Sequence, residues 1–258
     1  MYKRYRRAVL NALERRKGPR PGILTEEDMH HLPAIVRKYL HLSGAVGREK
    51  VRNFRAEFRG GIRSGPEDEF MPLRSEQYNF MDEPARFFYI VARKKGIPAK
   101  GIHIYKDQAA IMHIKILGLF TVADAKGEEM NQGETVTVFN DMCFMAPATL
   151  IDSNIEWREI DDLTVEGRYT NGRISISAIM SFKENGELVN FVSNDRFETT
   201  DGRTYKNYPW HTPVTSYGSF GEYRLPTSAK LIYKRPDGDF CYGEFSLVSI
   251  EYNLERFK

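Results

Sequence analysis

The sequence predicts a mainly β (α+β) fold: a curved antiparallel half-barrel of about eleven strands wrapped round a central helix, with helices at the N-terminus. Three observations point there. From Val51 onward apolar and polar residues mostly alternate, the period of a half-buried strand. Asn171-Gly172, Asn185-Gly186, Asp201-Gly202 and Asp237-Gly238 interrupt that pattern with turn chemistry. Within the body of the chain a single island breaks the period: Val138, Phe139, Met142, Cys143 and Ala146 recur at steps of three and four and share one helix face.

Two units are expected: a basic helix with a Pro/Gly linker over 1–22, and one β-rich half-barrel domain over 23–258. Residues 2–17 suggest a short helix with Tyr5, Val9 and Leu13 along one stripe. Its other faces carry Lys3, Arg4, Arg6, Arg7, Arg15 and Arg16, so it is expected to stay outside the core, either solvated or drawn to an anionic membrane surface. Gly18-Pro-Arg-Pro-Gly22 then breaks the chain. The next helix, over 33–43, is announced by Thr25-Glu-Glu-Asp and by Pro33 in its first turn. Leu32, Ile35, Val36, Tyr39 and Leu40 form its buried face, and Gly44 stops it.

Strands follow. Phe54, Ala56 and Phe58 alternate with Arg55, Glu57 and Arg59, and further strands read over 74–80, 86–93, 102–105 and 109–117. The run Phe87-Phe88-Tyr89-Ile90-Val91 is apolar on both faces, so both must be covered. The helix over 134–146 comes next, entered through a loop carrying Asp124, Glu128 and Glu129, with Glu134 in its first turn and Pro147 ending it. Strands resume over 155–160 and 163–170. Asn171-Gly172 makes a tight hairpin to a strand with Ile174, Ile176, Ala178, Met180 and Phe182 on one face, and the last strand spans 240–252.

Charge and composition exclude several functions. The formal charge is +3, but residues 1–20 hold eight basic residues and one acidic, a net of +7, leaving −4 (+3 less +7) on 21–258. An acidic body lacks the basic face that nucleic-acid binding requires, so no nucleic-acid partner is expected. Cys143 and Cys241 have no Cys/His ligand spacing around them and read as two buried thiols, so no structural metal or cofactor is expected. No Gly-x-Ser-x-Gly elbow, dinucleotide fingerprint or P-loop occurs. No run of eighteen apolar residues and no apolar signal core is present, which suggests a soluble chain, cytoplasmic or membrane-peripheral.

Several side chains could carry chemistry. Asp124, Glu129 and Gln132 with Arg196 form a candidate polar cluster that ties the loop to a strand and so sets the helix position. Glu134 is best explained as a first-turn charge facing the helix dipole. Carboxylates at this density could also act as acid and base or hold a hard cation, though no EF-hand spacing exists. His211, beside Trp210 in a rigid Tyr-Pro-Trp-His-Thr-Pro loop, could be a base or ligand, or be bonded to backbone. His103 and His113 could face each other across strands but lack a third ligand.

An ordered set of motifs carries a resemblance. It comprises Asp124-Ala-Lys-Gly-Glu-Glu-Met-Asn-Gln-Gly-Glu134, Pro147-Ala148, Ile155-Glu-Trp-Arg-Glu-Ile-Asp161, Phe182-Lys-Glu-Asn-Gly186, Asp195-Arg196 and Pro209-Trp210. Tyr223-Arg-Leu-Pro-Thr227, Pro236-Asp-Gly-Asp-Phe240 and Ile250-Glu-Tyr-Asn253 complete it. Together they resemble the bacterial family of unknown function DUF6544, with a more distant similarity to lipoprotein carriers of the LolA type. The first implies no activity. The second implies an antiparallel half-barrel whose concave side holds helices and an apolar cavity.

The reading of function follows from these expectations. A half-barrel with few helices should leave an apolar cavity of roughly 300–1,000 Å³ on its concave side. Phe87, Tyr89, Ile111, Met142, Met145 and Trp157 should line it, with Trp210 and His211 or the acidic loop at its mouth. The expected role is a non-enzymatic binding or carrier domain for an apolar or lipid-like molecule, its basic N-terminus meeting an anionic membrane. The alternative is a hydrolase using Asp124 and Glu129 with His211.

Overall fold

Antiparallel pairing builds the framework of the chain in a computed structural model that describes residues 1–16, 18 and 21–258. Lys17, Pro19 and Arg20, part of the expected helix end and Pro/Gly break, lie outside the described residues. Strands β1 (Asn53–Ile62), β2 (Met71–Phe80), β3 (Ala85–Lys94), β4 (Ile97–Lys106), β5 (Ala109–Ile116) and β6 (Phe120–Lys126) form one meander. A second run comprises β7 (Ile155–Asp161), β8 (Thr164–Asn171), β9 (Ile174–Phe182) and β10 (Leu188–Ser193). A separate two-stranded ribbon pairs β11 (Phe197–Glu198) with β12 (Lys206–Asn207). The chain returns through β13 (Trp210–His211), β14 (Val214–Phe220), β15 (Tyr223–Arg235) and β16 (Gly238–Tyr252). β16 pairs with β1 and joins the two runs into one curled half-barrel in the order β6-β5-β4-β3-β2-β1-β16-β15-β13-β10-β9-β8-β7, with β14 on β15.

The helices are α1 (Tyr2–Arg15), α2 (Ala34–Leu42) and α3 (Glu128–Met145). α3 begins right after edge strand β6 and leads, through a 3₁₀ turn at Pro147–Ile151, to edge strand β7. It crosses the concave side and connects the two free edges of the sheet. Its start is earlier than the spacing predicts, because Glu128 to Gly133 are helical rather than loop, and Asp124 belongs to β6. The five residues expected to form one buried face do not define one: from Gly133 to Met145 every residue of α3 is buried. A helix enclosed on all sides has no solvent face to give its sequence a period.

α1 corrects the expectation made for it. Tyr5, Val9, Ala12 and Leu13 are buried, and they pack on Tyr78, Phe80, Phe87, Ile102 and Ile104, the convex face of the sheet. Tyr5 Oη donates to Glu76 Oε1 at 2.9 Å, and the Arg16 guanidinium lies over the Phe80 ring. The basic residues Lys3, Arg4, Arg6, Arg7 and Arg15 remain exposed. The double-sided strand Phe87–Val91 is thereby explained, with α1 covering Phe87 and Tyr89 on one face. The other face carries Arg86, Phe88 and Ile90 on the concave side.

Two glycines fix local geometry. A Cβ on Gly167 would lie 2.8 Å from Phe139 Cζ, so the bare backbone of β8 admits the central ring of α3. Gly172 has φ +59° and forms the hairpin centre with Arg173, one residue later than Asn-Gly chemistry suggests, since Asn171 pairs with Ile174.

Candidate functional site

α3 presents three chemically different faces, and their partners differ accordingly. Residues 134, 141 and 145 follow helical spacing toward β2, β3 and β4. Asp141 Oδ2 accepts from Arg86 Nε (2.8 Å), Asn79 Nδ2 (2.8 Å) and Gln77 Nε2 (3.1 Å). Glu134 Oε2 accepts from Arg86 at 3.2 Å, and His103 Nδ1 lies 3.1 Å from Glu134 Oε1. Burial opposes the charge on Glu134, yet Arg86 and His103 outweigh it and hold its carboxyl at about 2. For Asp141 burial wins, and its carboxyl is raised above the usual range. This buried ionic cluster locks α3 to the first half of the sheet.

A second face meets the connection between β10 and β15. Arg196 Nε donates to Thr137 Oγ1 at 3.2 Å, its Nη1 donates to Tyr233 Oη, and its guanidinium stacks 4.5 Å from the Trp210 ring. Asn140 Nδ2 donates to Thr212 Oγ1 at 2.8 Å.

The third face, toward β7, β8 and β9, is apolar. Phe139 stacks on Tyr169 at 5.4 Å and meets Trp157 and Phe191 at 6.3 and 5.6 Å between ring centroids. Cys143 Sγ approaches Met180 Sδ at 3.5 Å, a soft thiol–thioether contact. Burial pushes the Cys143 thiol far above its ordinary range. Trp157 is half-buried on the edge strand β7, and its buried indole Nε1–H meets no acceptor among the described residues. A buried donor without an acceptor is costly and marks a place where an acceptor can be gained.

The expected lining does not come together. Phe87, Tyr89 and Ile111 lie on the convex side beneath α1, whereas Met142, Met145, Trp157 and Trp210 belong to the core around α3. His211 sits half-buried on β13 with Asn190 Nδ2 3.3 Å from its Nδ1, and burial lowers its pKa. The polar cluster divides as well. Asp124 is exposed and faces His113 at 3.3 Å, Glu129 is exposed in the first turn of α3, and Gln132 donates to Asp195 rather than Arg196. Among the described residues no contact joins Asp124, Glu129 and His211, so the hydrolase reading has no support. His103 and His113 point to opposite faces, because His103 pairs with the core residue Met112 and His113 with Ile102 under α1. Glu134 is not a cap but a member of the buried cluster centred on Arg86, which pairs with both Glu134 and Asp141; the sequence pattern singles out neither Arg86 nor Asp141. Gln77 and Asn79 opposite Tyr78 and Phe80 were the available signal, a polar face on a strand that needed both sides covered.

A cleft of about 720 Å³ opens elsewhere, where the β2–β3, β4–β5 and β8–β9 turns meet the 147–151 segment. Its walls mix Arg16, Asp82, Glu83, Asp107 and Asp152 with Met81, Pro84, Ile151 and Tyr169, a partly charged lining unlike the apolar cavity expected. No helix among the described residues is long and apolar enough to cross a membrane.

A family described as "Family of unknown function (DUF6544)" matches residues 22–245. Among solved structures, the chain is similar to a LolA superfamily protein from Nitrosomonas europaea at 8% identity and TM-score 0.46, covering 85% of this chain and 92% of that one. It is likewise similar to a domain provisionally described as an outer membrane lipoprotein-sorting protein from Vibrio parahaemolyticus, at 8% identity and TM-score 0.46 over 84% of this chain and 90% of that one. No curated protein matches.

Proposed function

The chain belongs to the DUF6544 family, and from that premise we propose that it is a non-enzymatic binding domain for an apolar, lipid-like molecule bearing an oxygen acceptor. The molecule enters the seam between α3 and strands β7–β9. The observation that carries this reading is the unequal holding of α3. Two of its faces are tied by charged and amide hydrogen bonds, whose loss would strand buried polar groups. The third is held by ring contacts, one thiol–thioether contact and a hydrogen bond from Tyr39 Oη of α2 to the Cys143 carbonyl at 2.7 Å; the ring contacts are ones an apolar chain can replace at little cost. That seam reaches the free edge β7, where the Trp157 indole offers its unmatched donor to a carbonyl or carboxylate. The binding place thus keeps Trp157 from the lining expected in the sequence, with Phe139, Tyr169 and Met180 in place of Phe87, Tyr89 and Ile111.

Fluorescence tests it directly, since the protein has two tryptophans. In a Trp210→Phe background, titration with a long-chain fatty acid should give a saturable change in Trp157 emission. Competition against a fluorescent fatty acid should show that Trp157→Phe binds several-fold more weakly. Absence of saturable binding, together with no lipid in an organic extract of the purified protein, would defeat the proposal.

A further inference from the structure

Among the described residues, the most exposed large apolar side chains gather at two neighbouring hairpin ends. The β3–β4 end carries Ile97, 49% exposed, and the β5–β6 end carries Leu117, Leu119 and Phe120, exposed by 53%, 74% and 66%. Val122 continues the row along edge strand β6 at 48%. The two ends touch, because β4 and β5 pair from Ala99↔Ile116 inward and Leu117 N–H donates to Pro98 O at 3.0 Å. Water-facing apolar residues are ordinary when scattered, but a contiguous group at a projecting end marks a contact surface.

Both turns are tight and present their side chains firmly. Lys95 and Gly96 have φ +50° and +83°, the two positive angles of a two-residue hairpin turn. Leu117 has φ +56°, a conformation that glycine or asparagine adopts more cheaply, and Gly118 follows at +73°. A bulky apolar residue held at positive φ with its side chain in water gains nothing for the core; its value lies in what it contacts outside.

Charge selects the contact. Arg93, Lys94 and Lys95 are exposed on the first end, and Lys100 and Lys115 sit opposite each other one step inward. Residues 93–122 contain six Lys or Arg against one carboxylate, Asp107, at the far end of the β4–β5 hairpin. Lys94 pairs with Asp68 of the β1–β2 connection, beside Glu67 and Glu69, at 3.2 Å. Arg93, Lys95, Lys100 and Lys115 form no ion pair among the described residues. A second copy docked on the same surface would set these cations against one another. An anionic bilayer would receive the apolar tips into its interface and its headgroups would meet the lysines.

We propose that the adjoining β3–β4 and β5–β6 ends are a membrane-docking surface, which inserts Leu119 and Phe120 into an anionic bilayer with Lys95, Lys100 and Lys115 around them. This assigns membrane contact to the opposite kind of element from the basic α1, whose apolar stripe is spent on the convex face. It does not depend on lipid binding in the α3 seam.

The test is co-sedimentation of the full chain with vesicles of equimolar phosphatidylcholine and phosphatidylglycerol. Leu119→Ser with Phe120→Ser should lower the partition coefficient by roughly tenfold or more, given what burying two such side chains contributes. Lys95→Glu should also weaken binding, and vesicles of phosphatidylcholine alone should bind less. Arg4→Ala with Arg7→Ala on α1 should leave most binding intact. These exposed substitutions should preserve the circular dichroism spectrum and midpoint, so loss of binding would not be loss of fold. Undiminished binding by the Leu119/Phe120 variant overturns the proposal, as does loss through the α1 variant alone. Wild-type protein that stays in the supernatant, including protein that instead forms a dimer abolished by Phe120→Ser, overturns it equally.

Discussion

Arg86→Met should be among the most damaging single changes in the molecule. The guanidinium is 7% exposed and serves three acceptors: Asp141 Oδ2 at 2.8 Å, Glu134 Oε2 at 3.2 Å and Gln77 Oε1 at 3.2 Å. Methionine fills much of the volume but leaves two buried carboxyls without their cation. Removing one partner of a buried pair costs about 3–5 kcal/mol, and that is the loss expected near neutral pH. The pH dependence has a defined sign. In the wild type the Glu134 carboxyl lies at about 2, below its ordinary 4.5, so its contribution is present above about 4.5 and lost as pH falls toward 2. Asp141 is raised, so its ionised form already weakens the fold at neutral pH, and acid relieves it. Without Arg86 both folded-state pKa values rise, so the variant carries an added penalty at high pH that protonation removes. Urea denaturation followed by circular dichroism at about pH 8 and about pH 5 should show a larger stability gap at the higher pH. A gap below about 1 kcal/mol at pH 8 would refute the reasoning, as would one that does not change with pH.

Three further outcomes follow from the same geometry. Cys143 is enclosed and its thiol is raised by burial, so a disulfide reagent should label the native protein at Cys241 alone and reach Cys143 only in denaturant; rapid native labelling of Cys143 would show that α3 is not enclosed. Asp124→Ala should change stability by less than about 0.5 kcal/mol, since the side chain is exposed and faces only His113; a loss above about 1 kcal/mol would restore the structural role first expected of it. Tyr5→Ala should cost about 3–5 kcal/mol and speed trypsin cleavage at Arg15 and Arg16, because Tyr5 is fully buried against Tyr78 and Tyr89. An unchanged melting midpoint would mean that α1 leaves the convex face in solution and frees its stripe for other contacts.

What the sequence disclosed and what it hid divide along a physical line. Strands with one wet face write their alternation into the chain, which is why β1 and β9 were legible to within a few residues, and α2 likewise through Ile35, Val36, Tyr39 and Leu40. α3 hid its beginning and its orientation because it is enclosed. Every position from Gly133 onward meets protein, so its polar residues are not on a solvent face but opposite specific partners. Glu134 and Asp141 resemble surface charges one at a time. They become intelligible only when Arg86 on β3 and Gln77 and Asn79 on β2 arrive from 48 to 64 positions away, a distance local patterning does not span. α1 misled for the converse reason. Its cations are real and exposed, but counting them says nothing about the three or four apolar residues between them, and the convex strands supplied a partner for those. The same comparison separates the residues most relevant to function. A buried polar group with matched partners, such as Asp141, is accounted for by the fold. An indole donor with none, at Trp157, and Leu117 held in water at positive φ are not, and there the chain departs from what folding alone would select.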